Sequence, residues 1–206
     1  MVRNFRAGVD RASRGWGRRG FTLVEVMLVG GLVALLAALA TQGVSKYLVL
    51  ATSAEAKQTI GGIARAVVAS ADRLQARSDG AAAQPLCRDA VTVPNAFYRV
   101  QGVKYQPDPR PGVDYNTGSP TAGWLCLGFE VSHPQSYQYR YRLGGSPMPV
   151  SVNHFPEDVP LDRRWAAYAR GDLDADGTHA WFALDGYMKD GQVVFASAVG
   201  SIDPDE

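Results

Sequence analysis

The chain has 206 residues, 46% of them hydrophobic and 20% charged, a composition that excludes disordered and low-complexity classes and suits about one folded domain. The net charge of +1 hides a division: residues 1–20 hold six arginines (Arg3, Arg6, Arg11, Arg14, Arg18 and Arg19) against Asp10, a sum of +5 that leaves −4 for the rest. A mildly acidic body excludes a global electrostatic case for nucleic-acid binding, and no specific nucleic-acid signal stands out elsewhere.

Behind the basic leader, residues 21–40 read FTLVEVMLVGGLVALLAALA, with Glu25 as the single charge. At about 1.5 Å per residue such a helix is roughly 30 Å long, the thickness of a bilayer's hydrocarbon core. The arginines before it place the N-terminus in the cytoplasm and the remainder outside. A discarded secretory signal has a shorter apolar region and no use for a carboxylate within it. Glu25 is costly in lipid and asks for a partner; the alternative is a glutamate near enough to the helix end to reach the headgroups.

The string Arg18-Arg19-Gly20-Phe21-Thr22-Leu23-Val24-Glu25 resembles the processing site of type IV prepilins and of the related pseudopilins of type II secretion. The resemblance implies cleavage by a prepilin peptidase between Gly20 and Phe21, N-methylation of Phe21, and an assembly role for Phe21 and Glu25. The charges explain the pairing. The new amine of Phe21 and the Glu25 carboxylate of a neighbouring subunit neutralise each other among staggered apolar helices, and loss of either strands a buried charge. The partners implied are other pilin subunits, the peptidase, an inner-membrane assembly machinery and the membrane itself. The protein is expected in the bacterial inner membrane with its C-terminal part in the periplasm, and then in a periplasmic or cell-surface filament.

All 12 prolines lie at Pro85 or later, so everything before position 85 permits helix. Beyond Thr41, Ile60, Ile63, Val67, Ala71 and Leu74 recur at helical spacing, with Lys57, Arg65, Asp72 and Arg73 on a polar face. The division expected is a leader over 1–20, a long helix over 21–78 whose first part, 21–40, is membrane span and filament core, and a globular part over 79–206. Gly30-Gly31 suits close helix packing in lipid. Pilins commonly carry a proline just after the apolar stretch; Thr41-Gln42-Gly43 stands there instead.

The globular part alternates short strand-like segments with Pro, Gly and Asp clusters: Phe97–Tyr105, Trp124–Val131, Tyr137–Leu143, Trp165–Arg170, Thr178–Leu184 and Val193–Val199. The fold class expected is α+β, a pilin-like long N-terminal helix packed on a C-terminal antiparallel sheet. Tyr137, Tyr139 and Tyr141 share one face of a strand and Gln138, Arg140 and Arg142 the other, so the tyrosines are assigned to the helix side and the arginines to water. Cys87 and Cys126, an even pair outside the cytoplasm, are assigned to a disulfide.

Asp172, Asp174 and Asp176, followed by Gly177, match the first half of an oxygen-rich calcium loop, with Asp185 a candidate fourth ligand from across the hairpin. The bidentate glutamate of a complete EF-hand is missing, Ala183 standing in its place. Two readings remain open, a solvated acidic hairpin tip and a calcium site. His133, His154 and His179 share no ligand spacing, and phosphate-loop and nucleophile-elbow motifs are missing, so a non-enzyme with no required cofactor is expected. The function expected is a structural pilin or minor-pilin subunit; the alternatives are a type II secretion pseudopilin, and an uncleaved membrane anchor carrying a calcium- or ligand-binding domain.

Overall fold

A computed structural model describes residues 20–77, 86–144, 155 and 158–204. The arginines of the leader, the Gly/Ala/Pro stretch at 78–85 and His154 lie outside the described residues. The layout is α+β. Helix α1 runs Leu23–Arg77 over 55 residues, and by contacts the chain divides into two compact units, Met1–Val44 and Ser45–Glu206.

In the first unit the described side chains are exposed in the single chain, Phe21 79% and Leu36 63%. Its glycines Gly30, Gly31 and Gly43 have no neighbouring atom within 4 Å of where a Cβ would stand.

The second unit contains the core. One face of the C-terminal part of α1 (Ala56, Ile60, Ile63, Ala64, Val67 and Ala71) is buried, as its three- and four-residue spacing requires. It joins one cluster with a five-stranded antiparallel sheet of β1 (Gln138–Leu143), β2 (Arg164–Gly171), β3 (Ala180–Lys189), β4 (Gln192–Phe195) and β5 (Gly200–Ile202). The order is β1-β2-β3-β4, with β5 also against β3.

Register builds the core face in rows. Tyr139 pairs with Ala169 and Ala169 with Phe182; Tyr141 pairs with Ala167 and Ala167 with Leu184. Small side chains in the middle strand between large ones on its neighbours shape a trough, and all six are buried. The last residue of β2 is Gly171, where the Tyr137 ring leaves no room for a side chain: a Cβ there would stand 2.5 Å from two ring carbons.

Three strand assignments change. Phe97–Val100 is a 3-10 turn, from which only Gln101 and Tyr105 go on to make isolated bridges. Trp124–Val131 begins in a short helix, α2 (Gly123–Leu127), closed by Gly128 in the left-handed region at φ 64°. Tertiary contacts hold it: Trp124 Nε1 donates to the Val91 carbonyl at 2.9 Å, and Cys126 is bonded to Cys87. Val193–Val199 is broken, because β4 stops at Phe195 and the chain bends before β5 pairs further along the same edge of β3.

Candidate functional site

Two places carry the chemistry singled out in the sequence. The first is the start of α1. Gly20 and Phe21 are exposed, and the helix begins two residues after Phe21. Thr22 is its cap: Thr22 Oγ1 accepts the Glu25 backbone N–H at 3.2 Å, and the Thr22 carbonyl accepts from Val26 N at 3.2 Å. Thr22-x-x-Glu25 is thus the sequence pattern of a capping box, a local signal that the reading by charge alone passed over. An acidic side chain in the first turn also suits the positive end of the helix dipole. From Leu23 to Thr41 the helix is long and apolar enough to cross a membrane.

The second place is the β2–β3 hairpin tip. Oxygens of Asp172, Asp174 and Asp176 lie within 4.8 Å of one another. The turn is shaped by its own aspartates: Asp176 N donates to Asp174 Oδ1 at 3.2 Å and Thr178 N to Asp176 Oδ1 at 2.6 Å. That second bond holds the Asp176 carboxyl below the usual carboxylate range. Asp174 and Asp176 are exposed and Asp172 is fully buried.

Asp185 does not join them. Antiparallel register places it opposite Ala166, five positions along β3 from the closing pair Gly171–Ala180, about 17 Å at strand rise. It is buried in the sheet, and its carbonyl accepts from Ala196 N at 3.3 Å.

The tip is tied to Gln101 and Gly102, which the sequence marked only as part of a strand-like segment. Gln101 Nε2 donates to Asp172 Oδ2 at 3.0 Å, and Gly102 N donates to the Asp172 carbonyl at 2.8 Å. Next to it, the Arg170 guanidinium lies 3.8 Å from the Phe97 ring centre and 5.2 Å from that of Trp181. Burial draws the Arg170 pKa down, and the charge of Asp172 opposes the shift. An open groove of about 710 Å³ adjoins the tip, lined by Leu48, Thr52, Glu55, Lys104, Leu173 and Asp174 among others.

Most other placements follow the expected pattern, but the arginines of β1, assigned to water, are half-buried. Cys87 and Cys126 form a disulfide across a separation of 39 residues. Tyr137, Tyr139 and Tyr141 are buried at 0% exposure and Gln138, Arg140 and Arg142 are half-buried on the other face. Arg73 is exposed on the polar face as assigned and also donates to the carbonyls of Cys126 and Leu127 at 3.0 and 3.1 Å. His133 is exposed, and His179 sits against Phe97 with ring centres 4.9 Å apart. Two polar anchors were invisible in sequence. Glu55 receives the Ser136 N–H at 2.9 Å, and buried Gln135 bonds Val93, Tyr137 and Tyr115.

No protein-family model matches the chain, and no curated protein or solved structure does either.

Proposed function

We propose that this chain is a structural subunit of a type IV pilus-like filament, a pilin or minor pilin, cleaved between Gly20 and Phe21 and assembled through the first part of α1. The observation that carries the reading is the union of Gly20-Phe21-Thr22-Leu23-Val24-Glu25 with a helix that starts at Leu23 and whose first 19 residues are long and apolar enough to cross a membrane.

The mechanism is assembly without turnover. In lipid, the exposed apolar side chains of Leu23–Thr41 are solvated by acyl chains; in a filament they are solvated by the same segments of other subunits. Little hydrophobic free energy separates the two states, so an external machine supplies the work of extraction. Specificity then falls to the polar pair. The carboxylate of Glu25 selects the axial stagger at which a neighbour's Phe21 amine meets it, since every other stagger leaves both charges unpaired.

The test is the N-terminal mass of the protein taken from its native membrane and from sheared surface filaments. A chain beginning at methylated Phe21, enriched in the sheared fraction, is the expected result. An intact Met1 terminus in every fraction overturns the reading and favours an uncleaved anchor for the sheet domain.

A further inference from the structure

Where α1 starts decides whether the bond between Gly20 and Phe21 lies inside a helix or outside it. The helix begins at Leu23 with Thr22 as its cap, and its first backbone hydrogen bond runs from Val26 N to the Thr22 carbonyl. Gly20 is the competing cap, since glycine ranks beside threonine at that position. Capped there, the helix would draw the Gly20 carbonyl into its first bond, from Val24 N, and the Phe21 carbonyl into the next, from Glu25 N. The second of those donors is already taken. Thr22 Oγ1 accepts the Glu25 N–H at 3.2 Å, and Gly20 and Phe21 stand outside the helix, both exposed. The neighbouring residue types agree with a cap at Thr22: Glu25 falls at the third helical position, as in a capping box, and Phe21 and Val26 occupy the two positions of a hydrophobic staple. With Gly20 as cap those positions would fall on Leu23, Arg19 and Val24, and neither pattern survives.

We propose that Thr22 is a positioning residue for cleavage: its hydroxyl fixes the start of α1 and so keeps the Gly20–Phe21 bond in non-helical chain. The inference rests on the reading of that bond as a processing site. In the hydrolysis, water adds its oxygen to the Gly20 carbonyl carbon, the C–N bond to Phe21 breaks, and the departing nitrogen takes up the two protons of that water, leaving a Gly20 carboxylate and a Phe21 ammonium. A carbonyl already accepting a helical N–H, with the next turn coiled against it, is closed to the group that must polarise it and to the water. Cleavage therefore follows the fraction of chains whose helix starts at Leu23, as proteolysis follows the population of an opened state.

The experiment is cleavage of the full chain in detergent micelles by membranes holding a prepilin peptidase, read by N-terminal mass, for the parent and for Thr22→Val, Thr22→Ser and Thr22→Asn. Valine keeps the shape of threonine and loses the capping oxygen; serine and asparagine keep a capping oxygen and lose the shape. Expected for Thr22→Val is a rise in KM of roughly three- to tenfold at unchanged kcat, because a smaller competent fraction weakens apparent affinity and leaves the chemical step alone. The serine and asparagine variants should stay within about twofold of the parent. Without any peptidase, the Cα chemical shifts of Gly20 and Phe21 in Thr22→Val should move toward helical values. Parent-like cleavage of Thr22→Val, or unmoved shifts in it, overturns the proposal. So does slow cleavage of the serine and asparagine variants, which would assign the shape of Thr22 to a pocket of the enzyme. A parent chain that stays intact overturns the processing reading itself, and this proposal with it.

Discussion

The phenol of Tyr141 donates a 3.0 Å hydrogen bond to the backbone carbonyl of Cys87, joining β1 to one half of the disulfide. Two positions back on the same face, Tyr139 is equally buried, yet its hydroxyl makes no bond of that kind and has only a weaker interaction with the Thr59 side chain. The pair makes a controlled comparison. Tyr141→Phe leaves a buried carbonyl unsatisfied and is expected to cost about 1–2 kcal/mol, whereas Tyr139→Phe removes a hydroxyl with only a weak partner and is expected to be within about 0.5 kcal/mol of neutral. Melting both variants in detergent decides it: equal losses in the two contradict the assignment.

The same tyrosines set a limit at high pH. Burial pushes Tyr137 up to about 12 and raises Tyr139 and Tyr141 further, against about 10 in an unfolded chain. Below pH 10 both states are protonated and these groups give no pH dependence. Above it the unfolded chain releases protons that the folded chain retains, so stability falls as pH rises, by about 1.4 kcal/mol per pH unit for each tyrosine still protonated in the fold. Denaturant midpoints measured between pH 8 and 11.5 should be flat and then descend, and Tyr139→Phe should make the descent shallower. An unchanged slope in that variant argues against a buried, protonated Tyr139.

The bond between Cys87 and Cys126 closes a separation of 39 residues that includes the 3-10 turns at Phe97–Val100 and Asp114–Asn116 and most of α2. Few ladder hydrogen bonds hold this region, which relies on isolated bridges such as Arg88–Ala122 and Tyr105–Gln135. In the chain-entropy model the crosslink contributes about 4 kcal/mol. The double variant Cys87→Ser/Cys126→Ser should therefore melt roughly 8–16 °C lower. It should also become sensitive to protease between residues 87 and 126 before the strands are cut. A Tm within about 2 °C of the parent contradicts this account.

What was legible in the sequence was local. Tyr137-Gln-Tyr139-Arg-Tyr141 alternates at strand period, and the structure buries those tyrosines; Ile60, Ile63 and Val67 repeat at helix period and are buried too. What failed was register and context. Trp124-Leu-Cys126-Leu is a short apolar run equally suited to strand or helix, and bonds to Val91 and Cys87 decide it. Asp185 shares its residue type with the tip aspartates, yet pairing with Ala166 carries it down the sheet. Gln101, which holds Asp172 from 71 positions away, belongs to no motif that spacing can reveal.

Glu25 occupies the N-terminal turn of α1, where its backbone N–H is capped by Thr22 and its side chain is exposed in the single chain. Two roles compete for it: a local one at the helix start and an intermolecular one with the amine of Phe21. Substitutions separate them. Glu25→Gln keeps hydrogen-bonding capacity in the first turn and a capping-box residue type, but removes the charge. If the local role dominates, Glu25→Gln should assemble normally. If the charge pair sets the stagger, Glu25→Gln and Glu25→Ala should both lose roughly tenfold or more of their incorporation into sheared filaments, while cleavage at Gly20 proceeds and the membrane pool is unchanged. Glu25→Asp, shorter by one methylene but charged, should fall between. The measurement is the ratio of sheared to membrane-bound protein for each variant, with the N-terminal mass as the control for processing. Normal incorporation of the alanine variant removes Glu25 from the assembly mechanism.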